Sequence, residues 1–193
     1  MKIVIIKYNA GNIHSVRLAL NRLGLDPLVS DDPEKIMQAD KVILPGVGEA
    51  SSAKNYLHAH GIDRVIINLK QPVLGICLGL QLMCSYSEEN ETPCLAVFDQ
   101  RVKKFPPLDK VPHTGWNLLE NLSGPLFKNI SETPYVYFVH SYYAELGVHT
   151  CAESDYILRF SAAIMHDNFM AVQFHPEKSG SVGEKILKNF ISL

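Results

Sequence analysis

The strongest constraint on this chain is a rhythm. Ile3-Val4-Ile5-Ile6 is an uninterrupted β-branched run, and after Tyr8-Asn9-Ala10-Gly11-Asn12 the apolar residues Ile13, Val16, Leu20 and Leu23 recur at helical spacing. The pattern is strand, turn, helix. Gly24 stands where that helix should end, Leu28-Val29 suits a short second strand, and Asp32-Pro33-Glu34 supplies the cap, first-turn proline and acidic opening of another helix. Val42-Ile43-Leu44 then forms a strand that stops at Pro45-Gly46-Val47-Gly48, a helix-compatible stretch runs from Glu49 to His60, and Pro72-Val73-Leu74-Gly75-Ile76 is the next strand. Strands that are apolar throughout, rather than alternating, need cover on both faces. The expected fold is therefore α/β: a doubly wound, mostly parallel sheet with helices on both faces.

The rhythm breaks between Thr92 and Glu132, where Pro93, Pro106-Pro107, Pro112, Gly115 and Pro125 favour hairpins and loops. Order returns with Tyr135 to Val139. Ala162-Ala163-Ile164-Met165 and Met170-Ala171-Val172-Gln173-Phe174 flank Asp167-Asn168 as a hairpin, and a last helix is expected from about Gly183 to Ile191. With no repeat or linker, the 193 residues fit a single domain, 1–193. A net charge of −2, with Lys103-Lys104 the only adjacent basic pair, argues against a nucleic-acid partner. The first apolar run is too short for a signal peptide core or a membrane span. The four cysteines (Cys77, Cys84, Cys94 and Cys151) have no C-x-x-C spacing and form no dense disulfide framework, so a reducing cytoplasm is the expected location. No cluster of His and Cys has ligand spacing, so neither metal nor cofactor is expected.

Chemistry concentrates at Gly75-Ile76-Cys77-Leu78-Gly79, a G-x-nucleophile-x-G elbow between a strand and the apolar residues Leu80, Leu82 and Met83 of a helix. The flanking glycines let neighbouring backbone pass close to a strained turn. A cysteine there also feels the positive end of the helix dipole, which favours thiolate. On this pentapeptide alone a buried core cysteine is an equal reading. Cys84, seven residues on, is expected to pack against the sheet on the same helix face.

A thiol needs a base. Of the eight histidines, His175 stands out because it follows a strand and precedes Pro176-Glu177. In an extended segment residues two apart share a side, which would set Glu177 beside His175 to hold its tautomer and stabilise its cation. Each residue alone has an ordinary structural explanation. Their joint occurrence with the elbow at the carboxyl ends of strands makes Cys77, His175 and Glu177 the expected catalytic set. For the oxyanion that attack on an amide would create, the candidate donors are the backbone N–H groups of Leu78 and Val47, the latter in the Pro45-Gly46-Val47-Gly48 turn. Gln81, four residues beyond Cys77, lies one helical turn above it and can bind a substrate.

Gly75-Ile76-Cys77-Leu78-Gly79-Leu80-Gln81-Leu82 together with Phe174-His175-Pro176-Glu177 resembles the class I glutamine amidotransferase family, whose triad is Cys, His and Glu in this order. Across the whole chain the resemblance is to those members that serve histidine biosynthesis. It is carried further by Asn9-Ala10-Gly11-Asn12, Leu44-Pro45-Gly46-Val47-Gly48, His113-Thr114-Gly115-Trp116-Asn117, Tyr137-Phe138-Val139-His140-Ser141-Tyr142 and Gln173 to Gly180. It implies deamidation of glutamine through a thioester on Cys77. The ammonia would pass, within a heterodimer, to a (β/α)8-barrel cyclase subunit that makes imidazole glycerol phosphate and an aminoimidazole carboxamide ribotide. It also implies glutamine contacts at Gln81, Glu89, Ser141 and Tyr142, an oxyanion loop at Gly46-Val47-Gly48, and a glutaminase that stays weak until its partner engages. Lys7 and Thr114 depart from the family's usual Asp and Met, which puts partner contacts near Lys7 in question. A cysteine peptidase of similar fold would share the elbow and histidine, but Gln81, Glu89 and His140-Ser141-Tyr142 suit a small amino acid. A non-catalytic module would have no need of all three triad residues. An amidotransferase for pyridoxal phosphate synthesis is disfavoured by His113 to Asn117.

Overall fold

The computed structural model describes residues 1–9 and 11–193; Ala10, within the Asn9–Asn12 motif, lies outside the described residues. The first half alternates strands and helices: β1 (Ile3–Ile6), α1 (Ile13–Arg22), β2 (Leu28–Ser30), α2 (Pro33–Met37), β3 (Lys41–Leu44), α3 (Ala50–Ala59), α4 (Ile62–Asn68), β4 (Val73–Ile76) and α5 (Leu78–Met83). The second half is mostly strand: β5 (Tyr86–Ser87), β6 (Thr92–Pro93), β7 (Arg101–Lys104), β8 (His113–Leu118), β9 (Tyr135–His140), β10 (Tyr142–Ala144), β11 (Thr150–Tyr156), β12 (Leu158–His166) and β13 (Phe169–Val172), closed by α6 (Gly180–Ile191).

The main sheet runs β2-β1-β3-β4-β13-β12-β10-β7-β5-β6, with β11 also paired to β12; β8 and β9 form a separate antiparallel ribbon. From β2 to β13 the pairing is parallel, as expected, while β12 and β10 extend the sheet in antiparallel fashion. Apart from the edge strand β2, the parallel strands are buried on both faces, and their side chains alternate between two cores. Ile3 and Ile5 meet α1, α6 and the β8–β9 ribbon through Val16, Leu20, Phe190 and Phe138. Val4 and Ile6 meet α2 to α5 through Ile36, Leu57, Ile66 and Leu80.

Local signals act where they were expected. Gly24 adopts φ 78° just past α1, and the bonds Gly24 N–H to Asn21 O (2.9 Å) and Leu25 N–H to Leu20 O (3.1 Å) close that helix in a Schellman turn. Asp32 caps α2 by accepting from Glu34 N–H at 3.0 Å. Asp167 takes φ 50° in the β12–β13 hairpin, where Met165 pairs with Met170. Three expectations need correction. Helix α4 was not anticipated: Ile62-Asp63-Arg64-Val65-Ile66-Ile67-Asn68 is rich in β-branched residues, and it is helical because Ile62 and Ile66 bury against the second core. The last helix begins at Gly180, three residues before the expected Gly183. Cys84 is not on the α5 face shared with Cys77; the helix stops at Met83, and Cys84 takes an extended conformation (φ −66°, ψ 173°) while remaining fully buried. No helix among the described residues is long and apolar enough to cross a membrane.

Candidate active site

The carboxyl ends of β3, β4 and β13 converge on Cys77, whose N–H donates to Val172 O at 2.8 Å. Cys77 holds φ 54°, ψ −105°, a conformation that costs an L-residue on the order of 1–3 kcal/mol and persists only where packing imposes it. The two glycines account for that packing. A Cβ on Gly79 would run into the Leu44 carbonyl of β3, and one on Gly75 would come within 2.9 Å of the Gly79 backbone. The first turn of α5 thus lies directly on the strands, with Cys77 at the apex.

His175 follows β13 and is fully buried. Its N–H donates to Tyr137 O (2.9 Å), its carbonyl accepts from Ser179 Oγ (2.7 Å), and Ser179 Oγ accepts from Tyr137 N–H (3.0 Å), so the β9 edge and the start of α6 clamp its backbone. The side chains of His175 and Glu177 meet at 2.8 Å between Nδ1 and Oε1. The local geometry differs from the expected extended pair. Pro176–Lys178 forms a 3-10 turn, and that turn, rather than strand alternation, folds the carboxylate back onto the ring. Asn12 completes the arrangement by donating to Glu177 Oε1 at 2.7 Å, with His175 Nδ1 3.2 Å away; its φ of 74° at the start of α1 aims the amide there. With Nδ1 engaged by Glu177, Nε2 is the ring atom left for Cys77, and it is buried with no hydrogen-bond partner. Burial alone would disfavour the imidazolium, but hydrogen bonding to and negative charge on Cys77 and Glu177 outweigh it and raise the His175 pKa to about 10. Burial works against ionised Glu177 too, and the His175 and Asn12 contacts overcome it, so its pKa is lowered.

In front of Cys77 lies a cavity of about 270 Å³, a size for a small metabolite rather than a peptide. Val47, Gly48, Leu78, Gln81, Glu89, Ser141 and Tyr142, all expected at the site, line it. Gly46, also expected there, does not, and His175 and Glu177 sit behind the cysteine instead of in the cavity wall. Gln81 is tied down: its Nε2 donates to Tyr142 O and to Gln173 Oε1, both at 3.1 Å, while Gln173 Nε2 reaches Cys77 Sγ at 3.6 Å. Glu89 accepts from Ala50 N–H at 2.7 Å, and burial raises its pKa despite that bond. His140 lines the same wall: its Nδ1 lies 2.7 Å from Tyr142 O, and its Nε2 lies 3.0 Å from Nδ1 of His113 behind it. Burial keeps both rings neutral, lowering His113 to about 4 and His140 to about 3. Since only His140 Nδ1 can donate to the Tyr142 carbonyl, its Nε2 must accept from His113, which fixes both tautomers.

The expected oxyanion donors are not both available. Leu78 N–H donates to Gly46 O at 3.2 Å, so the Gly46–Val47 peptide presents its carbonyl, rather than its N–H, to the elbow. Of the supporting residues, Asn12, Gln173 and Ser179 were visible only as parts of motifs; none was assigned a role, because Asn12 and Gln173 meet partners remote in sequence and Ser179 links His175 to the distant Tyr137.

The family model described as glutamine amidotransferase class-I matches residues 4–193. Among curated proteins, the chain is 55% identical to the imidazole glycerol phosphate synthase subunit HisH of Bacteroides thetaiotaomicron, over 100% of both chains. It is 46% identical to the HisH subunit of Pasteurella multocida, covering 98% of this chain and 96% of that one. Among solved structures, a putative GMP synthase subunit from Thermoplasma acidophilum superposes with a TM-score of 0.76 at 22% identity, over 100% of this chain and 93% of that one. A second structure, titled as a glutamine amidotransferase, also gives 0.76, at 17% identity over 98% and 97% of the two chains. Both structures bear on the fold alone.

Proposed function

The chain belongs to the class I glutamine amidotransferase family, and from that premise we propose that it is the glutaminase subunit of an imidazole glycerol phosphate synthase, acting in histidine biosynthesis through Cys77, His175 and Glu177. The observation that carries the mechanism is the His175 ring: Nδ1 is held by Glu177 at 2.8 Å, and Nε2 is buried with no hydrogen-bond partner, which leaves it free for the nucleophile. His175, already holding the proton given up by the thiol, pairs with the thiolate as Sγ attacks the amide carbon of glutamine. It then returns that proton to the departing nitrogen, which leaves as ammonia, and a thioester remains. Water, deprotonated by His175, releases glutamate and restores the thiol. Glu177 stabilises the imidazolium at each transfer. Gln81, Glu89, Ser141 and Tyr142 hold the amino-acid end of the substrate, with Gly46 and Gly48 giving the segment around Val47 its freedom.

The tetrahedral oxyanion needs the N–H groups of Leu78 and Val47, and the first is occupied by Gly46 O. Rotation of the Gly46–Val47 peptide would free it, and this is the control we assign to partner binding. Ammonia passes to the (β/α)8-barrel cyclase subunit of a heterodimer, which makes imidazole glycerol phosphate and aminoimidazole carboxamide ribotide. Glutamine hydrolysis by the purified chain, with and without the cyclase, is the test. Wild type should turn over slowly alone and faster with the partner, and Cys77→Ala should be inactive in both conditions. Full activity in Cys77→Ala, or none in wild type with the cyclase present, would refute the proposal.

A further inference from the structure

Three successive carbonyls of the segment after β3 are each tied to a donor. Pro45 O accepts from the Tyr8 hydroxyl (2.5 Å), Gly46 O from Leu78 N–H (3.2 Å) and Val47 O from Gly11 N–H (3.0 Å). Two of these donors are backbone. The third, Tyr8, is a side chain only 5% exposed, reaching over from the end of β1. Its hydroxyl is packed so closely against Gly46 that a Cβ there would collide with it. Gly48, at φ 137°, provides the swivel on the far side.

We propose that the Tyr8 hydroxyl is a latch on the oxyanion segment: by pinning the Pro45 carbonyl, it keeps the Gly46–Val47 peptide turned so that Gly46 O covers Leu78 N–H, and thereby sets how idle the glutaminase is without its partner. This rests on the glutaminase reading above. The geometry explains why one phenol suffices. The bond that must break for turnover, Leu78 to Gly46, is the longest of the three, and it survives only while the neighbouring peptide is stationary. A buried hydroxyl that let go of Pro45 O would find no water to replace it, so the hold is firm. Burial, and secondarily the charge of Cys77, push the Tyr8 phenol pKa up, so it stays a donor throughout the working pH range. Tyr8 touches no reacting atom; it is a positioning residue.

The test is Tyr8→Phe in the full chain, assayed for glutamine hydrolysis alone and with saturating cyclase. Removing one hydrogen bond should raise kcat of the isolated chain about five- to tenfold. KM for glutamine should be unchanged, and the partner-saturated kcat should stay near wild type, so the activation ratio shrinks by the same factor. Amide hydrogen exchange at Val47 and Gly48 should quicken in the isolated variant while the thermal midpoint reports an intact fold. Tyr8→Leu, which also lacks the hydroxyl, must move in the same direction. The latch is overturned if isolated kcat does not rise, or if kcat changes by equal factors with and without the cyclase. A wild type that is idle even with the cyclase present sinks the glutaminase reading instead, and the latch with it.

Discussion

The two halves of the site, on either side of Cys77, are built to different states of readiness. On the base side, His175, Glu177 and Asn12 are joined by contacts of 2.7 to 3.2 Å, the His175 and Glu177 side chains are buried, and Tyr137 and Ser179 clamp the His175 backbone. The hydrogen bonds that orient the imidazole are already in place. On the oxyanion side, hydrogen bonding is just as complete but points the wrong way, because Gly46 O occupies Leu78 N–H. A proton relay that is always assembled costs the cell nothing while no tetrahedral intermediate can be stabilised. Withholding one oxyanion donor slows acyl transfer by about 10²–10³-fold, whereas disordering the triad would expose a reactive thiol and require refolding of buried charge. Control belongs on the half that can change by turning one peptide between glycines.

The largest effect that can break this contrast is on the base side. Glu177→Gln should lower glutaminase kcat by about 10²–10⁴-fold, since the imidazole loses its charge partner and its tautomer is no longer enforced. Because that half is preassembled, the loss should be the same factor with and without the cyclase; a loss confined to the activated state would show that the base side is also assembled by the partner. Asn12→Ala should be milder. It removes a hydrogen bond to a buried carboxylate, so a decrease of about 10–100-fold in kcat is expected, with KM for glutamine unaltered and again no change in activation ratio. The smallest effect concerns the wall that both halves share. His113 and His140 are held neutral, with folded pKa values of about 4 and 3, below the ordinary value of 6.5. The unfolded chain therefore binds more protons in mild acid, and stability that is fully present above pH 6.5 declines as the pH drops toward those values. His175 has the opposite sign: its folded pKa of about 10 lies above 6.5, so its contribution is complete below pH 6.5 and is lost as pH rises toward 10. Between pH 6.5 and 5 each neutral histidine should cost on the order of 2 kcal/mol. Thermal midpoints at pH 7 and pH 5 should thus differ less for His113→Asn than for wild type, whatever the variant's absolute stability; an equal difference would mean that folding does not lower the His113 pKa.

Much of this was legible in the sequence, and the reason is local. Gly24, the Asp32 cap and the Asp167-Asn168 hairpin each act through backbone preferences that extend over a few residues, and the apolar runs of β1, β3 and β4 report burial on both faces directly. The elbow was legible for the same reason: glycines two residues either side of Cys77 reflect how closely α5 approaches the Leu44 carbonyl. Other features were not. Helix α4 is decided by the core that Ile62 and Ile66 fill, against the β preference of its residues. Asn12 meets Glu177 across 165 positions, and Tyr8 meets Pro45 across 37; no periodicity connects such pairs.

The sequence by itself determined the parallel α/β sheet, the position of Cys77 at a strand-to-helix turn and the choice of His175 and Glu177 as its proposed partners, because steric spacing and side-chain chemistry are written residue by residue. Only the tertiary structure decided that Glu177 reaches His175 through a 3-10 turn, that Asn12 and Tyr8 brace the two halves, and that Leu78 N–H is occupied by Gly46 O. The first is a local backbone conformation held by packing, and the others are choices among hydrogen-bond partners from distant segments. A backbone N–H carries no sequence signature of which carbonyl it will meet, so its partner is settled only when the segments are packed together.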